Sequence, residues 1–274
     1  MASQRSNFIF AAFLIAAVHS SPVVAQGIAK QTVIRSREYG RDRRMWVYTP
    51  PGYDARRKEP YPLLVMFDGA EAIDPNMMDM PGILDSLLSA KSAPAFVAVF
   101  IDDSAGAVRS AELGNSVKFG KFVAGEVIPF VRKGWNVTRD PHRTIVTGSS
   151  AGGLASAYLA LNHPEIFGNV ISQSGAFWRG NEGTNGAPYE WLTGQYAASP
   201  KKDVRFVMDV GALETIKVLG GTGPVFIDAN RRFRDVLKAK NYSVIYTEVP
   251  KGAHAPQFWR PRLPVDVVAI TSGW

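Results

Sequence analysis

Apolar and β-branched residues recur along this chain in short runs that are typical of buried strands. Such runs predict strands at Thr32–Ile34, Met45–Tyr48, Leu63–Phe67, Ala95–Ile101, Thr144–Thr147, Asn169–Ser172, Val204–Val210 and Ser243–Val249. Apolar residues at three- and four-residue spacing predict helices at Ile83–Ser89, Val117–Arg132, Gly152–Asn162 and Ala229–Lys240. Because strands that alternate with helices pair in parallel, we predict an α/β fold with a mostly parallel central sheet of about eight strands, flanked by helices.

The loops that follow the predicted strands are where ligand chemistry is expected, because open α/β sheets bind ligands beyond the carboxyl ends of their strands. The stretches Gly180–Pro188 and Gly220–Pro224 have the composition of surface loops. The sequence contains no internal repeat and no low-complexity linker. We therefore expect residues 26–274 to form a single catalytic domain.

The first residues have the pattern of an export signal. Met1–Asn7 carries one charge, on Arg5, the run Phe8–Val18 is apolar, and a small-x-small pattern ends at Ala25. The apolar run is too short to cross a bilayer, which takes about 20 residues. We expect residues 1–25 to be a cleaved signal peptide, which predicts a periplasmic or secreted protein without a stable membrane span.

Composition removes several classes of function. The chain has no cysteine, which excludes disulfides, thiolate metal sites and cysteine nucleophiles. Its formal net charge is +7 at pH 7, so the surface should favour anions. The basic clusters are short, scattered and without interleaved aromatic residues, so we expect no nucleic-acid partner.

A G-x-S-x-G motif lies between a predicted strand and a predicted helix, the context that this motif requires of a nucleophile. Here it reads Gly148-Ser149-Ser150-Ala151-Gly152. The serine must sit on a strained turn, so Gly148 and Gly152 are expected to leave room for it. Ser150 is the predicted nucleophile. The amide of Ala151, at the helix start, is the predicted first oxyanion donor.

Partners for this serine should follow later strands. Of the four histidines, only His254 lies in a loop after the last predicted strand, which makes it the predicted base. The orienting acid should follow the strand Val204–Val210. Glu214, in the loop beyond that strand, is favoured over Asp209, which lies inside it. The loop after Phe67 should give the second oxyanion N–H, from Gly69 or Ala70.

Several longer motifs add a resemblance to a known family. They are Tyr48–Tyr53, Phe67–Gly69, Arg109–Leu113, Gly148–Leu154, Asn162–Gly168, Ser172–Trp178, Gly211–Glu214 and Gly252–Ala255 leading to Phe258–Arg260. Together they resemble the enterochelin esterase family of esterase D-like hydrolases over nearly the whole chain after the signal segment. The resemblance implies the α/β-hydrolase fold and a Ser150, His254 and Glu214 triad. It also implies ester hydrolysis without a metal or organic cofactor.

The resemblance also suggests where substrate binds. Arg109 and Glu112 lie in a loop that borders the substrate in the family, and the alternative is a structural pair between these two side chains. Trp178 and Trp259 are candidates for aromatic walls around an aryl ester. The amino-terminal domain of the family's cytoplasmic members has no counterpart here, which points to the shorter, exported members. The segment Ile216–Pro224 reads as an extra loop that could displace Glu214.

Three functional hypotheses follow. The first is a serine carboxylic-ester hydrolase that acts through an acyl-enzyme on a small-molecule ester. In the resembled family that ester is a catecholate siderophore trilactone, whose iron complex is an anion. The second is a feruloyl, acetyl or general aryl esterase, or an acyltransferase, of the same superfamily. The third is an inactive siderophore-binding protein, because a fold alone does not establish activity.

Overall fold

A computed structural model describes residues 26–103, 106–181 and 188–274. The predicted signal peptide, residues 1–25, and most of the predicted loop Gly180–Pro188 therefore lie outside the described residues. The strands are β1 (Ile28–Arg35), β2 (Asp42–Thr49), β3 (Leu63–Met66), β4 (Val97–Ile101), β5 (Thr144–Ser149), β6 (Asn169–Gln173), β7 (Arg205–Gly211) and β8 (Ser243–Val249). All eight runs predicted from the sequence are strands.

These strands form one sheet in the order β1-β2-β4-β3-β5-β6-β7-β8. The pairs β1 with β2 and β2 with β4 are antiparallel, whereas every pair from β4 to β8 is parallel. This confirms the predicted α/β fold with a mostly parallel sheet. The carboxyl ends of β3, β5, β6, β7 and β8 lie along one edge, so the loops that follow them meet there.

The α-helices in the described residues are α1 (Gly69–Ile73), α2 (Met80–Ser89), α3 (Gly106–Glu112), α4 (Val117–Phe122), α5 (Ile128–Gly134), α6 (Ala151–Asn162), α7 (Trp191–Ala198), α8 (Phe226–Ala239), α9 (Pro256–Trp259) and α10 (Leu263–Thr271). The single helix predicted over Val117–Arg132 is α4 and α5 joined by a π-type turn at Val123–Val127. None of the helices in these ranges has the length and apolar character needed to span a bilayer.

The core has two layers because side chains alternate across the sheet. On β3, Leu63 and Val65 face the layer under α4 to α8, whereas Leu64 and Met66 face the layer under α2 and α10. All four side chains are almost completely buried. Because helices cover both faces of the sheet, a substrate can reach it only at the carboxyl ends of the strands.

Candidate active site

Ser150 occupies the turn between β5 and α6. Its backbone has φ 56° and ψ −118°, a conformation that a non-glycine residue adopts only under constraint. The constraint is a set of hydrogen bonds: the Ser150 N–H donates to the Gln173 carbonyl at 2.8 Å, and the Ser150 carbonyl accepts from the Ala176 N–H at 2.9 Å. This anchored turn presents the Ser150 hydroxyl to a cavity at the sheet edge.

Two glycines make the close approach at this turn possible. A Cβ atom on Gly148 would lie 2.7 Å from the backbone carbonyl carbon of Gly152, and one on Gly153 would lie 2.5 Å from the Ser172 Oγ. At Gly152 the nearest atom, Asp68 Oδ2, would be 3.6 Å away, which is ordinary contact. The expectation that the turn needs glycine at Gly152 was therefore wrong on steric grounds, and Gly153 is the second position that requires it.

The structure brings Ser150, His254 and Glu214 together. The His254 Nε2 lies 2.9 Å from the Ser150 Oγ, and the His254 Nδ1 lies 2.7 Å from the Glu214 Oε2. A carboxylate only accepts hydrogen bonds, so Nδ1 carries the proton and Nε2 is left to accept from the serine hydroxyl. The imidazole ring packs edge-on between Phe226 and Trp259, with centroid distances of 4.7 and 4.9 Å.

Glu214 is 4% exposed and its second oxygen is also occupied. The Glu214 Oε1 accepts from the Gly211 N–H at 2.9 Å and from the Ser174 hydroxyl at 2.5 Å. The segment Ile216–Pro224 does not displace this acid. The Ile227 N–H donates to the Glu214 carbonyl at 3.0 Å, so the backbone on either side of the segment is held together. Ser174 was not among the site residues predicted from the sequence. Its position directly after β6, at the sheet edge where catalytic side chains were expected, could have indicated it.

The rival acid, Asp209, belongs to a different buried cluster. It is 2% exposed and faces Asp266 and Arg262, with Asp209 Oδ2 3.5 Å from the Arg262 Nε. Burial, followed by the neighbouring carboxylate of Asp266, raises the pKa of Asp209 well above its ordinary value. The carboxylate that contacts His254 is that of Glu214.

A cavity of about 420 Å³ opens in front of Ser150 and His254. Apolar side chains line much of it: Met66, Phe67, Met77, Met78, Pro256 and Trp259. Three charged side chains also face it, Asp68, Glu71 and Arg109. A mainly apolar pocket with a few polar groups beside a nucleophile is the usual form of a small-molecule site.

The two predicted charged substrate contacts lie in different environments. Arg109 faces the cavity, and its guanidinium donates to both carboxylate oxygens of Asp68. This hydrogen bonding raises the pKa of Arg109. Glu112 is buried and accepts two hydrogen bonds of 2.9 Å from Arg43, so placing it at the substrate was wrong. The alternative pair between Arg109 and Glu112 is not formed either, because each has its own partner.

The two tryptophans predicted to border the substrate lie in different places. Trp259 lies on the cavity wall, and its indole N–H donates to the Ser174 Oγ at 3.0 Å. Trp178 is partly buried beside the hydrophobic cluster of Val210 and Phe226 and does not line this cavity, so its place beside the substrate stays a prediction.

The predicted oxyanion donors are helix-terminal amides. Ala151 begins α6, so its N–H has no acceptor within that helix. Gly69 and Ala70 begin α1 and have the same property, whereas the Asp68 N–H is already bound to the Asp103 Oδ2 at 2.8 Å. Gly69 packs against the β4 backbone, and neither Gly69 nor Ala70 lines the cavity. The second donor therefore stays a prediction.

The structure arranges a serine on a strand-to-helix turn, a histidine after the last strand and an intervening carboxylate along the edge of this sheet. This arrangement is typical of serine hydrolases of the α/β-hydrolase class. The model of a family described as putative esterases matches residues 36–270, and the chain belongs to this family. In the described residues no group of three or more His, Asp or Glu side chains could hold a metal ion.

Within this comparison, the chain is similar to individual enterobactin esterases and, in fold, to a ferulic acid esterase. The chain is 31% identical over 242 residues to the iron(III) enterobactin esterase of Escherichia coli O6:H1, covering 87% of this chain and 56% of that protein. The enterobactin esterase of Shigella flexneri, crystallised in the presence of enterobactin, is 28% identical with a TM-score of 0.76, covering 89% and 58%. A ferulic acid esterase shares the fold at 16% identity and a TM-score of 0.74. The chain thus spans just over half the length of the enterobactin esterases it matches.

Proposed function

We propose that this protein is a serine carboxylic-ester hydrolase that acts through an acyl-enzyme. The observation that carries the proposal is the continuous set of contacts from Glu214 through His254 to Ser150, at 2.7 and 2.9 Å. This geometry gives the serine hydroxyl a base with a defined tautomer, beside a cavity of a size suited to a small molecule.

Acylation begins when the Ser150 Oγ attacks the ester carbonyl carbon while His254 Nε2 takes the hydroxyl proton. Glu214 stays ionised and stabilises the imidazolium that forms. The carbonyl oxygen becomes an oxyanion, which the Ala151 N–H and one amide of Gly69 or Ala70 stabilise. The C–O bond of the ester then breaks, and His254 returns its proton to the leaving alkoxide, which departs as an alcohol.

Deacylation repeats these steps with water. His254 Nε2 takes a proton from water as the water oxygen attacks the acyl carbon, and the same amides bind the second oxyanion. The bond to Ser150 then breaks, the serine recovers its proton from His254, and the carboxylic acid leaves. An acyltransferase would use the same acyl-enzyme with an alcohol in place of water.

For the substrate we favour an ester of a catecholate siderophore trilactone. Two enterobactin esterases that are 31% and 28% identical to this chain over the aligned residues support this substrate class. Arg109, which faces the cavity, retains N–H groups beyond those bound to Asp68 and can contact a catecholate oxygen. An aryl ester such as a ferulate is the second candidate, because Trp259 and three methionines give the cavity an apolar wall.

Hydrolysis rates of 4-nitrophenyl butyrate, methyl ferulate and iron(III) enterobactin, measured with the wild type and with Ser150→Ala, test this proposal. We expect Ser150→Ala to lower kcat by a factor on the order of 10⁶ while the protein stays folded. A preference for the siderophore supports the favoured substrate, and a preference for methyl ferulate supports the aryl esterase. If the wild type is inert on all three esters but binds the iron complex, it is a binding protein and the esterase proposal fails.

We also propose that the protein is exported, with residues 1–25 removed. Support comes from the apolar run Phe8–Val18 and the small-x-small pattern that ends at Ala25. Amino-terminal sequencing of protein from the periplasm or medium of an expressing bacterium should begin at Gln26. An intact amino terminus on protein that stays in the cytoplasm would contradict export.

A further inference from the structure

Ser174 is a completely buried polar residue in the turn that follows β6. Its φ of 46° lies in the left-handed region, where a serine needs support from its surroundings. The Ser174 N–H provides that support by donating to the Asp209 carbonyl at 2.7 Å. The turn therefore holds the Ser174 side chain in one direction, toward Glu214 and Trp259.

The direction of each hydrogen bond at Ser174 follows from the chemistry of its partners. The Trp259 indole can only donate, so the Ser174 Oγ accepts its N–H at 3.0 Å. The Ser174 hydroxyl proton is then free for the Glu214 Oε1, which lies 2.5 Å from the Ser174 Oγ. Trp259 thus orients the hydroxyl, and the hydroxyl donates to the acid.

The two oxygens of the Glu214 carboxylate therefore have different partners. The Oε1 atom is held by two donors, the Ser174 hydroxyl and the Gly211 N–H, whereas the Oε2 atom faces the His254 Nδ1. A buried carboxylate with one tethered oxygen keeps its plane fixed, so its other oxygen stays in line with the imidazole.

We infer that Ser174 is a positioning residue for catalysis, oriented by Trp259, that holds Glu214 in the rotamer which orients His254. The inference rests on the proposed function, because it assigns Ser174 a role in the same triad. Without the hydroxyl, Glu214 Oε1 keeps only the Gly211 amide, so the carboxylate turns more freely and the fraction of correctly oriented imidazole falls.

A double-mutant cycle tests this role on 4-nitrophenyl butyrate. Ser174→Ala should lower kcat by about 10- to 100-fold, the effect of one hydrogen bond to a charged group, and change KM less than twofold. In a Glu214→Ala background the same substitution should change kcat less than twofold, because the group through which it acts is gone. Equal losses in both backgrounds, or no loss in either, would overturn the inference.

Ser156→Ala is the matched control. Ser156 is also completely buried, and its hydroxyl donates to the Gly152 carbonyl at 2.8 Å instead of to the triad. It should retain wild-type kcat, which shows that removing a buried hydroxyl does not by itself lower activity. Trp259→Phe, which keeps an aromatic ring beside His254 but removes the N–H, should lower kcat in the wild type and have no further effect on kcat in Ser174→Ala.

A measurement that does not need turnover separates this inference from the esterase proposal. The downfield proton signal of the His254 Nδ1–H reports its hydrogen bond to Glu214 in the free protein. Ser174→Ala should shift or broaden that signal, and Ser156→Ala should leave it in place. If the signal is unchanged in Ser174→Ala, the positioning role is wrong even where Ser150→Ala abolishes hydrolysis. If no ester is hydrolysed, the esterase proposal fails whatever the signal shows.

Discussion

At the scale of single residues, the choice between Glu214 and Asp209 shows how local backbone geometry selects a catalytic acid. The two carboxylates lie five positions apart, so spacing alone left both open. The chain turns after β7, and the Leu213 N–H binds the Gly252 carbonyl at 2.9 Å, which ties this loop to the segment that carries His254. Asp209 lies before that turn and points into the sheet-helix interface with Arg262 and Asp266.

This assignment predicts unequal effects of two isosteric substitutions. Glu214→Gln should lower kcat by a factor on the order of 10⁴, because an amide at this position favours the wrong imidazole tautomer. Asp209→Asn should change kcat less than tenfold at a pH where the variant is folded, because Asp209 does not contact His254. Steady-state kinetics on a neutral ester with both variants checks this. A larger loss in Asp209→Asn would reverse the assignment.

Glu71 gives a second prediction at this scale, about substrate charge. Within the described part of the chain its carboxylate makes no hydrogen bond or ion pair, and it lines the cavity. Burial, then the charge of Asp68, raises the pKa of Glu71, so Glu71 ionises at a higher pH than an ordinary glutamate. An ionised Glu71 should repel an anionic substrate, against the favourable contact offered by Arg109.

Glu71→Gln should therefore raise kcat/KM for an anionic ester about two- to fivefold, the effect expected of one solvated charge at close range. The matched esters are 4-nitrophenyl hydrogen succinate and neutral 4-nitrophenyl butyrate, and the neutral ester should be unaffected. The gain should shrink at high salt, which screens exposed charges. Equal effects on both esters would show that Glu71 acts through packing and not through its charge.

At the scale of elements, the connection from β5 to α6 depends on close packing at its glycines. Gly153→Ala would place a Cβ 2.5 Å from the Ser172 Oγ and 3.1 Å from the Gly175 Cα, so we expect a loss of about 1 to 3 kcal/mol in the free energy of unfolding. Gly152→Ala is the matched control in the same helix turn. It meets no atom closer than 3.6 Å and should be neutral or slightly stabilising, since alanine favours helix.

Urea unfolding of the two variants measures this difference. If Gly152→Ala is destabilised as much as Gly153→Ala, the cause would be strain in the turn itself and not the contact with β6. Activity provides a separate readout, because a methyl group on Gly152 would point toward Asp68 at the cavity and can lower kcat/KM without loss of stability.

The elements that the sequence revealed are those with strong local patterns. All eight strands were predicted because each contains a short apolar run, and α6 was predicted because its apolar residues recur at three- and four-residue spacing. The helices α1, α3, α7, α9 and α10 were missed. In α10, Leu263, Val267 and Ile270 occupy one face and are buried against the sheet, but a proline and an aspartate interrupt the apolar pattern.

The candidate site was predictable to the extent that it depends on chain order. Ser150, His254 and Glu214 follow their strands in the order that the fold requires, and the structure brings them together. Glu112, Ser174 and the partner of Arg109 could not be placed from the sequence. Their roles depend on contacts between segments more than 35 positions apart, such as Arg43 with Glu112 and Asp68 with Arg109.

At the scale of the whole molecule, a buried cluster of charges joins the last helix to the sheet behind the nucleophile. Arg262 binds the Asp266 carboxylate at 3.0 Å and lies 3.5 Å from Asp209, and Gln173 donates to Asp266 at 3.2 Å. Burial raises the pKa of both aspartates, and their mutual proximity raises that of Asp209 further. Two carboxylates that face one guanidinium at close range favour a shared proton.

This cluster makes the stability of the fold depend on pH. Because the pKa of Asp209 is higher in the folded state than the ordinary value of an aspartate, folding is favoured by the bound proton. That stability is complete below about pH 4 and is lost as the pH rises through the folded-state pKa. Asparagine cannot ionise, so Asp209→Asn should gain stability relative to the wild type as the pH rises from about 5 to about 9, measured by urea unfolding.

Glu248→Gln is the control with the opposite sign, because hydrogen bonding to Arg231 lowers the pKa of Glu248. This variant should be less stable than the wild type at neutral pH, and the difference should disappear as the pH falls. If the difference in stability between Asp209→Asn and the wild type does not change with pH, the pKa of Asp209 is not raised in the folded protein.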